Sequence, residues 1–263
     1  MPHPASQATM TNQPTQRFSN RVQEYIQYRP GYPAQVLTTL QNECHLTSDS
    51  WVVDVGSGTG ILSELFLRKG NQVVGVEPNR EMRQAGERLL QGYSNFHSVN
   101  GTAEATTLPA ASADFVTAGQ AFHWFDRAKT KTEFVRILKP NGWVVLIWNE
   151  RLTHTSRFLL AYEQLLLTYA TDYRQVNHKQ IDHQVLLDFF APHTFQKQVF
   201  ANRQNFDFAG LKGRLLSSSY APVAGHPQHS AMLAELQNMF TAHQVGGTVG
   251  FDYQTQLYWG RLG

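Results

Sequence analysis

The stretch Trp51-Val52-Val53-Asp54-Val55-Gly56-Ser57-Gly58-Thr59-Gly60 joins an apolar run to a glycine-rich turn, and Ile61-Leu62-Ser63-Glu64-Leu65-Phe66-Leu67-Arg68 continues it as a helix-forming run. This reads as strand–turn–helix, with a ligand lying against bare backbone, because glycine lacks Cβ and tolerates positive φ. Spacing separates the candidate ligands. A dinucleotide turn uses G-x-G-x-x-G, the third glycine packing helix on strand near a pyrophosphate. Here the third glycine comes one residue early, at Gly60, and Ile61 holds the dinucleotide position. Asp54, two residues before the first glycine, is unfavourable beside phosphate and suits a ligand carrying an ammonium group. A nucleotide and a plain structural turn remain alternatives on this stretch alone.

The next strand narrows the choice. Gln72-Val73-Val74-Gly75-Val76-Glu77 ends in a carboxylate, about 20 residues past the first glycine, where it can take both ribose hydroxyls of an adenosine. Glu77 supports an adenosine ligand without choosing among such ligands. Facing a pocket, it is expected to support little packing. Pro78 follows, and Asn79-Arg80-Glu81-Met82 reads as a helix start.

The 263 residues, 41% hydrophobic, suit one large α/β domain with a helical elaboration. A net charge of +2, without a basic block, gives no nucleic-acid footprint. The single cysteine, Cys44, forms no internal disulfide and no metal cluster, so a reducing cytoplasmic setting and no metal are expected. Residues 1–16 are polar, rich in Pro, Gln and Thr, and read as a disordered tail. No apolar run approaches the ~20 residues of a membrane helix, so no membrane insertion is expected.

Along the chain, a short helix over 21–28 is stopped by Arg29-Pro30-Gly31-Tyr32-Pro33, since proline disfavours helix in the residue before it. Helix is expected over 34–46. Strands and helices then alternate: strand 51–55, helix 60–69, strand 72–77, helix 79–91, strand 95–100, strand 114–118, helix 129–138 and strand 143–148. This predicts a parallel sheet covered on both faces. Residues 155–191 read as mostly helical, 195–206 as a strand, 207–218 and 228–243 as helices, and 249–259 as a half-buried strand. The expected division is N-terminal lid helices over 17–46, a core over 47–150, a helical cap over 151–192 and 207–245, and C-terminal strands over 193–206 and 248–260.

With these elements in place, the chain from about residue 17 to residue 148 resembles the small-molecule branch of the class I S-adenosylmethionine (SAM)-dependent methyltransferases (ubiquinone/menaquinone and trans-aconitate types). The strings that carry the resemblance are Tyr28-Arg29-Pro30-Gly31-Tyr32-Pro33, the Asp-x-Gly-x-Gly-x-Gly turn, Val76-Glu77-Pro78, Gly101-Thr102-Ala103-Glu104, Gln120-Ala121-Phe122-His123-Trp124-Phe125 and Leu138-Lys139-Pro140-Asn141-Gly142. Ser217-Ser218-Ser219-Tyr220 is similar to the tail of the same group. The resemblance implies a Rossmann-like seven-stranded, mostly parallel sheet with an antiparallel last strand inserted between strands five and six. It implies SAM as cofactor and methyl transfer to a small molecule. Gly56, Ser57 and Gly58 would meet the methionine portion, Asp54 would orient the loop or the ammonium, and Glu77 with Pro78 would border the ribose. Thr102 and Ala103 would read the adenine edge, though many relatives carry Asp at the Thr102 position. Gln120 and Ala121 would lie beside the donor methyl. Arg29 would grip the methionine carboxylate through two hydrogen bonds.

His123 is open to three readings: a general base, a wall of the substrate site, or a packed structural histidine. Trp124 and Phe125 read as packing, with an aromatic face near a sulfonium as the alternative. Tyr25, Tyr28, Tyr32 and Tyr220 are candidate lid residues. The Asn-Pro-Pro-Tyr string of amino-group nucleic-acid methyltransferases is missing, and Cys44 lies far upstream of strand four. The rivals are an NAD(P)-dependent oxidoreductase, disfavoured by glycine spacing and Asp54, and a SAM-binding protein without catalysis.

Overall fold

The computed structural model describes residues 26–173 and 183–262. The tail expected over 1–16, Tyr25, and most of the helix expected over 21–28 lie outside them; residues 26–28 are helical. Helix α1 (Gln35–Cys44) leads into strand β1 (Trp51–Val55). There follow α2 (Ile61–Leu67), β2 (Gln72–Val76), α3 (Arg80–Leu89), β3 (Phe96–Val99) and β4 (Ala113–Gly119). A 3-10 turn at Phe122–Trp124 precedes α4 (Arg127–Ile137) and β5 (Leu138–Arg151). The remainder is α5 (Arg157–Tyr169), α6 (His183–Phe190), β6 (Phe195–Phe206), α7 (Phe208–Leu216), α8 (His229–His243) and β7 (Val249–Gly260).

The seven strands form one sheet in the order β3-β2-β1-β4-β5-β7-β6. The β3, β2, β1, β4 and β5 neighbours pair parallel, while β7 pairs antiparallel with both β5 and β6. This is the expected mostly parallel sheet with its last strand reversed between strands five and six. Consecutive side chains of β1 enter opposite cores, as a period of two dictates. Val53 and Val55 pack with α4 and α6 residues such as Phe134 and Phe189. Val52 packs with α1 and α2 residues such as Leu40 and Phe66. A third core joins α5, α7 and α8 around Tyr162, Leu211, Leu236 and Phe251.

β2, β3, β4 and β7 differ from their expected bounds by a residue at one or both ends, and one strand differs by more. β5 runs beyond 143–148 at both ends, because Leu138 already pairs with Ala113 and the polar Asn149, Glu150 and Arg151 continue to pair with β7. Pairing, not hydropathy, sets its length. That extension carries Arg151 to the end of the sheet and up to the cap.

Candidate functional site

The order of strands reverses between β1 and β4, and in open α/β sheets ligands lie in the crevice at the carboxyl ends there. The glycine turn follows β1 at this point. Gly56 and Ser57 donate their N–H groups to the Val76 carbonyl at 2.8 and 3.2 Å, tying the turn to the end of β2. Gly56 has φ +69°, and a Cβ built on it would stand 2.6 Å from the Ala121 Cβ. The turns after β1 and β4 therefore touch, and only glycine permits that approach. Gly60, at φ +85°, packs against Leu90, where a Cβ would fall 2.5 Å from Cδ1.

Glu77 is buried just past β2. Its Oε2 accepts the Gly58 N–H at 2.9 Å and its Oε1 the Asn79 N–H at 2.8 Å. Burial raises its pKa, opposed by those two N–H groups and by Arg83. The expectation that Glu77 supports little structure needs correction. Its carboxylate ties the glycine turn to the start of α3, since each oxygen can accept more than one hydrogen bond.

Asp54 is 1% exposed, with Oδ2 accepting from Ser63 Oγ at 2.6 Å and Oδ1 from Thr117 Oγ1 at 3.3 Å. Burial pushes its carboxyl up to about 6, against the pull of the two hydroxyls. Gln120 adopts φ +57°, in the left-handed region. It is held there by its N–H to the Ile147 carbonyl at 3.0 Å and its Nε2 to the Asn149 carbonyl at 3.1 Å. Such strain persists only where neighbours over-determine it, and it clusters at ligand sites.

One cavity at these strand ends is walled by Arg29, Gly56, Gly58, Glu77, Pro78, Thr102, Ala103, Gln120 and Ala121. An adjoining recess adds Asp54 and Ser57 and shares Arg29, Gly56, Gly58 and Gln120. The sequence reading therefore brought together residues that do converge. His123 is in neither wall. Its ring lies 4.6 Å from that of Trp124, tilted by 44°. Trp124 and Phe125, read first as packing, both face the cavity. Asn79, Met82, Glu104, Gly119 and Ser219 also line it and were missed. Glu104 and Ser219 stood in the quoted strings without a role, and Asn79 carried a signal of its own: it caps α3, accepting the Met82 N–H at 2.9 Å, as its place at the helix start suggested.

The turn before α1 closes one side. Arg29 Nη2 donates to the Ser217 carbonyl at 2.9 Å. Asn149 Nδ2 and Asn202 Nδ2 both donate to the Gly31 carbonyl, at 3.1 and 2.8 Å. Tyr220, from the segment after α7, lines the cavity from the cap. Among the described residues, no group of three or more His, Cys, Asp or Glu is placed to hold a metal ion. No helix among them is long and apolar enough to cross a membrane.

Residues 53–146 match the family model described as a methyltransferase domain. The chain is 33% identical to an uncharacterised methyltransferase of Schizosaccharomyces pombe over 135 residues, 51% of this chain and 53% of that protein. It is 34% identical to an uncharacterised methyltransferase of Mycobacterium bovis over 134 residues, again 51% of this chain and 52% of the other. The chain thus spans about half the length of the curated relatives it matches. Among solved structures, a candidate type II methyltransferase from Anaeromyxobacter dehalogenans superposes with a TM-score of 0.67 at 19% identity, covering 89% of this chain and 98% of that one. The YcgJ protein from Bacillus subtilis does so with a TM-score of 0.54 at 19% identity, covering 87% and 98%. These likenesses show a shared fold. Over residues 53–146 the chain is similar to the methyltransferase domain family, on the fold that these structures share.

Proposed function

We propose that the protein transfers a methyl group from SAM to a small-molecule acceptor. One observation carries the reading: a recess holding one cation, Arg29, and one carboxylate, Asp54, adjoins a cavity walled by the buried carboxylate of Glu77 and shares Arg29, Gly56 and Gly58 with it. The recess matches the opposite charges of an amino acid, and the cavity matches a ribose with its base. The recess also holds the Thr59 hydroxyl, which is buried without a hydrogen-bond partner. These groups fit SAM and leave no cradle for a pyrophosphate.

In this reading Arg29 holds the methionine carboxylate and Asp54 faces the ammonium. Gly56 and Gly58 present bare backbone to the chain between them. Glu77 takes the ribose hydroxyls on the acceptor capacity left beside its two backbone N–H groups, with Pro78 bordering the ribose. Thr102 and Ala103 border the adenine. Gln120 and Ala121 border the methyl, and the Trp124 and Phe125 rings favour a nearby positive charge. Bound SAM supplies a methyl already activated on a sulfonium: the acceptor's lone pair bonds to that carbon, and the breaking C–S pair returns to sulfur. The protein's own work is to align the two and exclude water. His123 reaches the reaction only if it moves. The turn at 29–33 and the helices after β5 act as lid and cap. The acceptor is a small molecule, not a nucleic acid, and the buried thiol Cys44 suits a reducing cytoplasm.

The test is transfer of radiolabelled methyl from SAM into the small-molecule fraction of a cell extract. Label in that fraction, with stoichiometric S-adenosylhomocysteine, supports the reading. Tight S-adenosylhomocysteine binding without any transfer would favour the non-catalytic rival.

A further inference from the structure

The cap contains a second polar cluster, one ring away from the donor cavity. At the end of β5, Arg151 donates from Nη2 to Glu163 of α5 and to the Tyr173 hydroxyl at 2.9 Å. Its Nη1 is buried without a hydrogen-bond partner. The Arg151 guanidinium lies 5.1 Å from the centre of the Tyr162 ring. The Tyr162 hydroxyl is itself buried without a partner, on a residue only 1% exposed. Arg214 of α7 is buried too. Its Nε donates to the Tyr253 hydroxyl at 3.0 Å and its Nη1 to Ser218 Oγ at 3.1 Å. No carboxylate among the described residues forms an ion pair with it.

The charges do not balance. Of two buried guanidiniums, both within electrostatic reach of Tyr162 and Tyr220, Arg151 pairs with Glu163 and Arg214 pairs with no carboxylate among the described residues. A buried charge is costly unless paired. Two buried donors, Arg151 Nη1 and the Tyr162 hydroxyl, also lack an acceptor, which is costly in the same way. The missing component is an acceptor with one negative charge.

The cluster borders the donor site. Tyr220 lines the donor cavity, and its ring lies 4.9 Å from that of Tyr173, which bonds Arg151. Arg151 is two residues along β5 from Asn149, whose carbonyl holds Gln120 in the cavity wall. At about 3.3 Å per residue, that is about 7 Å, one long side chain's reach. The segment 217–220 spans both: Ser217 and Ser219 meet the donor side and Ser218 meets Arg214.

Resting on the donor reading above, we propose that the acceptor is an organic monocarboxylate, its carboxylate held by Arg151 Nη1, the Tyr162 hydroxyl and Arg214, its body directed past Tyr220 to the donor cavity. One negative charge neutralises the cluster, whereas a phosphate dianion would leave it oppositely charged. The rings of Tyr162, Tyr220 and Phe251 suit an apolar body behind the carboxylate.

The test is calorimetry on the full chain saturated with S-adenosylhomocysteine. The probes are short aliphatic and aromatic monocarboxylates, each paired with its neutral amide, and phenyl phosphate. Monocarboxylates should bind at least about tenfold more tightly than their amides and more tightly than phenyl phosphate, as expected of a charge-assisted contact. Tyr162→Phe should weaken acid binding severalfold without lowering the melting temperature, because the hydroxyl it removes has no partner in the free protein. Equal binding of acids and amides, no acid binding up to about 10 mM, or tighter phenyl phosphate would overturn the proposal. So would a Tyr162→Phe variant that melts lower and keeps its acid affinity, as expected if that hydroxyl holds only a structural water. The S-adenosylhomocysteine titration of the same sample separates the two readings. If it binds and the acids do not, only the acceptor proposal falls; if it does not bind, the donor reading falls first.

Discussion

The donor cavity and the cap cluster beside it are built from different materials. On the donor side, contiguous backbone makes the surface: Gly56 and Gly58 at positive φ, two N–H groups on Val76 and two on Glu77. On the cap side, behind Tyr220, side chains from β5, α5, α7 and β7 make the cluster: Arg151, Tyr162, Arg214 and Tyr253. A backbone surface is encoded in a few adjacent residues, since glycine spacing alone sets where the chain can turn and touch. A side-chain surface is encoded in packing, and its residues are scattered from Arg151 to Tyr253. The first kind holds a constant ligand, while the second can change with every helix inserted after β5.

The donor side should therefore fail sharply at single backbone positions. Gly56→Ala places a methyl 2.6 Å from the Ala121 Cβ at φ +69°. The left-handed strain and the overpacking together should cost about 2–4 kcal/mol of stability, with loss of S-adenosylhomocysteine binding. Denaturant unfolding and calorimetry would measure both. A variant with wild-type stability and affinity would remove the distinction between the two sides.

Asp54 gives the next effect, through pH. Its carboxyl sits at about 6 against an ordinary 3.8. The folded state thus favours the protonated form. That contribution to stability is fully present below about pH 4 and is lost as pH rises through about 6. Asp54→Asn carries no such charge, so it should gain on the wild type by about 3 kcal/mol between pH 4 and pH 7. Parallel stability curves for the two proteins would show that Asp54 is not desolvated.

Glu77→Gln should weaken S-adenosylhomocysteine binding by about 1.5–3 kcal/mol, read by calorimetry. It should also lower stability, because Gln retains only one of the two oxygens that hold the Gly58 and Asn79 N–H groups. Affinity lost with no loss of stability would return Glu77 to a pure ligand contact. At the small end, Arg68→Ala removes an exposed pair with Glu64 at 2.8 Å. It should change stability by no more than about 0.5 kcal/mol and leave binding alone. A larger effect would mean that α2 transmits strain to the glycine turn.

The same contrast explains what could be read from the chain. Strand alternation and the glycine turn carried the sheet, and the bounds expected for β1 and β6 match the structure. Glu77 was found from its spacing past the first glycine, and Gln120 through the family resemblance. The two hydrogen bonds that give Glu77 its structural role were not visible, since they depend on how the turn folds back. His123 drew notice by residue type, yet the 3-10 turn directs Trp124 and Phe125 to the cavity. The cap cluster left no trace as a motif. Arg151 lies where the hydropathy of β5 runs out, and Tyr162 and Arg214 read as ordinary members of amphipathic helices.

The central claim is that the glycine turn, Asp54 and Glu77 form a site for SAM and not for a dinucleotide. Calorimetry of the full chain with S-adenosylhomocysteine and with NAD tests it most directly. The account predicts S-adenosylhomocysteine binding with a Kd of about 1–100 μM and little NAD binding. Tight NAD binding with no binding of S-adenosylhomocysteine would contradict it.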